Sequence, residues 1–241
     1  MYEKLFEPID VGPVTIPNRI VRSAHSTALP LKRLIAYHEA RAVGGVGMST
    51  LEATGVHLSS PAMRSIIPLH DDAVIPFYKE LSDALRPHGM KVLQQIYHPG
   101  SARAPGKGTF QISASAIPNP IAGGIPTAMT IPMIEEMIEA FASAARRCRD
   151  GGLDGIDIHA SSGYLIEQFL SPANNIRTDR YGGSLENRMR FLMEIIEAIR
   201  EEVGTDICVG IRLPNEEYIP GGLTAADNAE IAKIVEPHVD Y

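Results

Sequence analysis

Three polar side chains follow a short strand-like run at spacings that suit an active site. The run at residues 155–159 ends in His159, and Ser162 and Tyr164 stand three and five residues further on. A strand that delivers hydrogen-bonding side chains into its following loop is the usual construction of an α/β active site. The alternative is that His159 and Tyr164 are packed in a core. This stretch alone leaves both interpretations open.

Alternating strand and helix patterns surround the stretch and would position it. Strands are predicted at residues 19–24, 46–53, 91–98, 155–159 and 206–213, with a sixth beginning at 239–241. Helices are predicted at residues 31–43, 71–87, 130–150, 185–203 and 224–235. A hairpin at about 5–17 comes first, and a loop at 99–129 is long enough to cover or build a site. This alternation predicts one α/β domain with a parallel sheet.

Polar residues at the strand ends favour a closed barrel over an open sheet. They are Ser26, Glu52, Gln95, His98, His159 and Arg212. In a (β/α)8 TIM barrel all strand ends meet on one face, whereas an open sheet gathers only those near one crevice. No Gly-x-Gly-x-x-Gly motif follows the first strand. A barrel needs eight strands and residues 1–241 supply about the first six, so we expect the protein to continue beyond Tyr241.

The composition is that of an ordinary globular domain. Apolar residues make up 44% of the 241 residues, and the formal net charge is −7 with the basic residues scattered. These features argue against nucleic-acid or membrane partners. Cys148 and Cys208 form no metal or redox motif, and no apolar run approaches the ~20 residues that span a bilayer. We expect a soluble, cytoplasmic protein without a metal site, and homo-oligomer formation is left open.

Several blocks, in order along the chain, carry a resemblance to a known family. They are residues 5–8, 17–21, 37–42, 44–47, 52–53, 95, 98, 100, 159, 163–165, 168–172, 175, 177–184, 186–188 and 212. In these blocks the chain resembles the old yellow enzyme family of NADH:flavin oxidoreductases, which are FMN-dependent ene-reductases built on a β/α barrel. The resemblance covers essentially the whole chain. It implies FMN as the cofactor and NADH or NADPH as the reductant.

The resemblance also implies which residues contact the flavin. These are Ser23, Ala24, His25, Ser26, Ala53, Gln95 and Arg212. Ser26 is expected near the flavin O4 atom, and the small Ala53 lets the ring approach the second strand. Gln95 and Arg212 are expected to bind the pyrimidine edge of the ring.

A second group is expected to handle the substrate. His159 and Ser162 match a pair that hydrogen-bonds the substrate carbonyl, Tyr164 matches the proton donor, and Tyr97 matches an aromatic residue that faces the substrate. The implied reaction passes hydride from NAD(P)H through FMN to the activated C=C bond of an α,β-unsaturated carbonyl compound. Ser162 departs from the family pattern of Asn or His, and its shorter side chain is expected to weaken the second carbonyl donor.

Two other functions stay open. Residues 24–26 resemble a branch of larger relatives, the 2,4-dienoyl-CoA reductases and trimethylamine dehydrogenase. That branch carries a [4Fe-4S] cluster and an FAD-binding region after the barrel, and we expect these groups only if the protein continues in the same way. A third possibility is a flavin- or ligand-binding barrel without turnover.

Overall fold

The computed structural model describes residues 2–60, 67–103, 110–120 and 122–241. Its first element is a hairpin, in which strands β1 (Ile9–Val11) and β2 (Val14–Ile16) pair antiparallel. A 3-10 turn at Glu3–Phe6 precedes them. The predicted hairpin is therefore confirmed over its second part, whereas Leu5 and Phe6 belong to the turn.

Five parallel strands form the main sheet. In spatial order they are β3 (Val21–Arg22), β4 (Met48–Gly55), β5 (Lys91–Tyr97), β8 (Gly155–His159) and β9 (Cys208–Arg212). Neighbours in space are also consecutive along the main alternation, as in a barrel. Past β9, the amide of Ile211 donates to Tyr241 O over 3.0 Å, and the amide of Asp240 donates to Val209 O over 2.8 Å. These bonds begin the sixth strand that the sequence predicts.

Helices follow the strands and cover the outer face of the sheet. Those in the described part of the chain are α1 (Leu31–Val43), α2 (Ile75–Leu85), α3 (Ile131–Asp150), α4 (Leu165–Leu170), α5 (Leu185–Val203) and α6 (Ala225–Val235). Side-chain oxygens of Thr130, Ser184 and Thr224 accept a backbone N–H at the starts of α3, α5 and α6. Across the described ranges, no helix is both long and apolar enough to cross a membrane.

Most predicted element bounds are confirmed, and the exceptions have local causes. The bounds of α1, α5 and β8 agree with prediction, and α3 begins directly after its predicted cap Thr130. The first barrel strand is only two residues long, against the six predicted. The helix predicted at 71–87 is shortened by 3-10 turns at Asp72–Val74 and Arg86–His88.

The segment predicted as a long loop contains structure of its own. Strands β6 (Ile112–Ser113) and β7 (Thr127–Ala128) pair in parallel within it. Residues 104–109 and 121 of this segment lie outside the described residues. Helix α4 is also absent from the prediction. All six of its residues are buried, so it has no polar face to reveal a helical period.

Candidate active site

The carboxyl-terminal end of β8 carries a neutral histidine. His159 is only 8% exposed, and it pairs in register with Arg212 at the end of β9. Burial, and secondly the charge of Arg212, lower the pKa of His159 to about 4. The ring is therefore uncharged at neutral pH. Its Nδ1 atom lies 3.1 Å from Oγ of Ser161, a residue to which the sequence assigned no role.

Three of the residues predicted to contact substrate come together as rings. The centroid of Tyr164 lies 4.9 Å from that of His159, with the two planes at 84°, and 4.8 Å from that of Tyr97. The rings of Tyr97 and His159 are 6.2 Å apart. Tyr97 is buried, and its hydroxyl has no hydrogen-bond partner among the described residues. Burial, with Tyr164 beside it, raises the pKa of Tyr97 well above its usual range.

Ser162, the predicted second donor to the substrate carbonyl, lies in a left-handed turn after β8. It is exposed, has a φ of +65°, and forms no hydrogen bond with any residue in the described ranges. Gly163 follows with a φ of +72°, so two consecutive left-handed residues turn the loop. The hydroxyl that lies beside His159 is that of Ser161. Asn and His enter the left-handed region more readily than Ser, which gives a backbone reason for those residues at this position.

The first turn of α4 holds this loop in place. The amide of Gly163 donates to the Glu167 carboxylate over 2.5 Å, and the Gln168 side-chain amide donates to Gly163 O over 2.6 Å. Glu167 is 3% exposed. Burial, with Glu217 nearby, raises the pKa of Glu167 to about 7, although its bond to Gly163 acts in the opposite direction. The backbone beside Tyr164 is thus fixed by side chains from its own helix.

A second cluster lies one layer deeper, on the interior face of the sheet. Oδ2 of Asp157 accepts from the Gln95 amide over 2.9 Å and from the Arg212 guanidinium over 3.1 Å. Asp157 is fully buried, and its Oδ1 atom has no hydrogen-bond partner among the described residues. Burial raises the pKa of Asp157, although Arg212 and Gln95 both act to lower it. Sequence reasoning missed Asp157; a carboxylate inside a β-branched run was the available signal.

The two adjacent glutamines of β5 serve opposite faces of the sheet. Gln94 accepts from the hydroxyl of Tyr78 on α2 and donates to Glu52 O, so it binds the outer layer. Gln95 points to the interior and binds Asp157. Because side chains alternate along a strand, only one of the two can reach the interior. The structure places Gln95, the residue predicted to bind flavin, on that side.

The loop after β3 is tied to the neighbouring strand. The amide of Thr27 donates to the Glu52 carboxylate over 2.7 Å, and the Arg22 guanidinium donates to Thr50 O over 2.9 Å. The predicted flavin residues of this loop are partly or fully exposed and lie between these two ties: Ser23, Ala24, His25 and Ser26. The hydrogen bonds in the described residues do not connect them to Gln95 or Arg212.

A bulge in β4 surrounds the predicted small residue. The register between β4 and β5 shifts between Leu51 and Thr54, which places Glu52 and Ala53 in the irregularity. Bulges are common next to active sites, where they change the direction of side chains. Ala53 is half-buried there.

His98, the last strand-end residue of the prediction, has a structural role. Its Nδ1 accepts from the amide of Gly100 over 3.0 Å, and its Nε2 lies 3.0 Å from Ser59 Oγ. Burial, assisted by His57, lowers the pKa of His98 to about 3. Both ring nitrogens are occupied by the protein.

Comparison with known proteins identifies the family. The sequence profile of the NADH:flavin oxidoreductase / NADH oxidase family matches residues 4–240. The chain belongs to this family. An NADPH dehydrogenase from Geobacillus sp. strain WCH70 is 39% identical to this chain, and the match covers 97% of the chain and 69% of that protein. An N,N-dimethylglycine/sarcosine dehydrogenase from Chromohalobacter salexigens is 38% identical over 96% of the chain.

Similarity to solved structures supports the same family. The chain superposes on 2-naphthoyl-CoA reductase in complex with 2-naphthoyl-CoA with a TM-score of 0.88 at 34% identity, covering 99% of the chain and 39% of that protein. The sheet is therefore part of a (β/α)8 barrel, as predicted. The chain spans 35–38% of the length of several curated relatives.

The residues of the site fit the flavin that the family name implies. The Gln95 amide and the Arg212 guanidinium supply hydrogen-bond donors of the kind that the carbonyl oxygens of the flavin pyrimidine require. Asp157 holds both of them from below and keeps one unpartnered buried oxygen. Ala53 adds a small side chain at the bulge of β4.

Proposed function

We propose that this protein is an FMN-dependent oxidoreductase that takes hydride from NADH or NADPH and reduces activated C=C bonds of α,β-unsaturated carbonyl compounds. The observation that carries the proposal is the cluster of His159, Tyr164 and Tyr97 beside the Gln95–Asp157–Arg212 group. Donors for a carbonyl oxygen and donors for a flavin thus occur at adjacent strand ends. When bound, FMN would supply the hydride transfer.

His159 acts on the substrate oxygen. Addition of hydride to the β-carbon builds negative charge on the carbonyl oxygen, and a ring N–H of His159 stabilises that charge where it develops. Because the pKa of His159 is lowered to about 4, the ring is neutral at pH 7. It therefore donates a hydrogen bond to the oxygen without giving up a proton to the enolate.

Tyr164 completes the reaction as the proton donor. The ring of Tyr164 packs against both His159 and Tyr97, so the position of its hydroxyl is fixed relative to His159, the donor to the carbonyl oxygen. A tyrosine hydroxyl can protonate the α-carbon as a general acid. Tyr97 contributes a buried aromatic wall on the same side.

Arg212 and Gln95 bind and polarise the pyrimidine end of the cofactor. A guanidinium near the N1–C2 region favours the reduced, anionic flavin and thereby raises its potential. Asp157 keeps both side chains on the interior face. Ser23, Ala24, His25, Ser26 and Ala53 remain proposed flavin contacts.

Oxidation of an N-methylated amine is a second candidate. The rings of Tyr97 and Tyr164 lie together, with centroids 4.8 Å apart and planes tilted at 56°, and the faces of aromatic rings attract alkylammonium groups. The similarity to a dimethylglycine/sarcosine dehydrogenase favours the same chemistry. Such a protein would belong with the multi-domain relatives that carry an iron–sulfur cluster and FAD.

Spectroscopy of the purified full-length protein tests the proposal. The yellow oxidised protein should bleach with NADPH or NADH under anaerobic conditions and recolour when 2-cyclohexenone is added. Bleaching of the oxidised protein by dimethylglycine alone, with no nicotinamide added, would favour the amine reaction, because oxidation of the amine to an iminium ion passes its hydride to the flavin. A protein that bleaches but is not reoxidised by any enone contradicts the ene-reductase proposal, and one that binds flavin without bleaching is a non-catalytic barrel.

We also propose that the enzyme acts in the cytoplasm. Both cysteines, Cys148 and Cys208, are buried and unpaired, which suits a reducing compartment. The net charge of −7 gives no support to a nucleic-acid partner.

A further inference from the structure

The feature behind this inference is the hydroxyl of Ser161. This residue lies between His159 and the exposed Ser162, and it is only 7% exposed. Its Oγ atom lies 3.1 Å from Nδ1 of His159. Nδ1 is the ring nitrogen that this serine occupies, so Nε2 is the nitrogen left for a substrate.

The hydrogen-bond inventory decides which nitrogen carries the proton. A neutral imidazole has one N–H donor and one acceptor nitrogen. Within the described residues, Ser161 Oγ has no hydrogen-bond partner other than His159. If Nδ1 carried the proton, the buried serine hydroxyl would have no acceptor for its own proton. If the serine donates to Nδ1, both groups are satisfied and Nε2 carries the proton.

We propose that Ser161 is a positioning residue that holds His159 as the Nε2–H tautomer, so that the site selects a substrate oxygen, carbonyl or oxyanion, over a substrate amine. This inference rests on the proposed function of the same site. It gives a role to a serine that the sequence did not single out, on the strength of its contact with Nδ1 of His159.

The charges around His159 act in the same direction. Arg212 is paired in register with His159, and its positive charge reaches the ring. A protonated amine would be repelled by the positive charge of Arg212. The Nε2–H group of His159 also could not accept a hydrogen bond from the amine. The tyrosine rings attract cations, but they offer no acceptor at Nε2. A carbonyl or an enolate oxygen matches both the donor and the charge.

Nitrogen NMR of the full-length protein, labelled with 15N-histidine, tests the tautomer directly. The His159 signals are identified by their absence in His159→Asn. In the wild type, Nε2 should be protonated and Nδ1 unprotonated near pH 7. Ser161→Ala should shift the Nδ1 resonance and increase the Nδ1–H fraction, whereas Ser161→Thr, which keeps the hydroxyl, should restore the wild-type pattern. Ser162→Ala should leave both nitrogens unchanged.

Ligand affinity tests the selectivity without turnover. The 4-nitrophenolate ion presents an anionic oxygen like that of an enolate but has no activated alkene to reduce. Its dissociation constant should rise several-fold, up to about tenfold, in Ser161→Ala, which corresponds to the loss of about one hydrogen bond. Dimethylammonium should bind more weakly than 4-nitrophenolate to the wild type. Ser82→Ala removes a buried serine hydroxyl on α2, bonded to Gly152 O, and is the matched control for folding.

The two sets of results separate the inference from the proposed function. A wild-type His159 protonated on Nδ1, or a Ser161→Ala variant with unchanged nitrogens and unchanged phenolate affinity, overturns the inference. A protein with the expected tautomer and affinities that fails to reduce any enone contradicts the proposed reaction and leaves the role of Ser161 standing.

Discussion

Carboxylates at the two ends of the parallel strands differ in how completely they are hydrogen-bonded. At the amino-terminal ends of the strands, which we call the amino-terminal edge, Asp154 accepts from the amide of Val92 over 2.9 Å and from the Lys91 ammonium over 3.1 Å. Asp240 repeats this arrangement at the amide of Val209, over 2.8 Å. Each aspartate thus binds the second backbone N–H of the preceding barrel strand.

At the carboxyl-terminal edge, buried polar atoms stand without partners. Among the described residues, Tyr97 Oη, Asp157 Oδ1 and Glu52 Oε1 have no hydrogen bond. Leaving such a group unpaired costs about 1–3 kcal/mol. The difference teaches that one edge is built for stability, whereas the other keeps unused hydrogen-bonding capacity for a cofactor and a substrate. The following predictions test that division.

The largest effect is expected for Tyr164→Phe. Loss of a general acid slows a reaction by about 10²–10⁴-fold. The variant should therefore reoxidise at least ~100-fold more slowly with enone, while its reduction by NAD(P)H changes little. Stopped-flow absorbance measures the two half-reactions separately. Equal slowing of both would assign Tyr164 to packing.

Glu167→Gln should change the pH dependence of stability. The pKa of Glu167 is raised from 4.5 to about 7, so the folded protein binds an extra proton within that window. Relative to the variant, the wild type should lose stability as pH rises from 4.5 to 7 and stay level above, by a total on the order of 3 kcal/mol. Urea unfolding at several pH values measures the difference. Parallel pH profiles would show that Glu167 is not protonated in the fold.

Asp154→Ala tests the amino-terminal edge. It leaves the Val92 amide and the Lys91 ammonium without their partner, and the free energy of unfolding should fall by about 2 kcal/mol. Flavin affinity should not change, because the substitution is at the edge away from the site. A loss of flavin affinity without loss of stability would contradict the proposed division.

Asp157→Asn tests the opposite edge. The isosteric amide removes the charge that anchors Gln95 and Arg212, so the dissociation constant of FMN should rise about tenfold. Stability should change little, because the burial cost of the carboxylate is removed together with its pairing, and the Arg212 side chain is 42% exposed and can be solvated. Flavin fluorescence titration and urea unfolding give the two values. Lower stability with unchanged flavin affinity would make Asp157 a structural residue.

The smallest effect is expected for Ser162→Asn. A left-handed conformation costs most residues about 1 kcal/mol, and asparagine less. The substitution should raise the free energy of unfolding by about 0.5 kcal/mol. Thermal unfolding detects the shift, and Ser162→Ala, which gains no such tolerance, is the comparison. A destabilised Asn variant would indicate that the serine hydroxyl has an unrecognised contact.

The sequence predicts the layers of the fold better than the details of the site. Strands and helices with one apolar face have a period, and α1, α5 and β8 are found where that period predicts them. Helix α4 is buried all round and has no period to detect. The small strands β6 and β7 are too short for one.

Site residues are predictable where the residue type itself is informative. His159, Tyr164 and Tyr97 are brought together as expected. Ser161 and Ser162 are chemically identical neighbours, and only the backbone angle at Ser162 decides which of them meets the histidine. A dihedral angle of this kind depends on the whole loop and leaves little trace in composition.

The aspartates of the amino-terminal edge also set an order in time. Val92 and Asp154 are 62 residues apart, and Val209 and Asp240 are 31 residues apart. During synthesis on the ribosome, the first amides of β5 and β9, those of Lys91 and Cys208, can bind Gly47 O and Asp154 O, which are already made. The second amides, those of Val92 and Val209, must wait for residues 154 and 240. The second amide of each of these strands is therefore bound only when the residues before the next strand have emerged. A pause between a strand and its aspartate therefore leaves that second amide without its side-chain acceptor in the nascent chain.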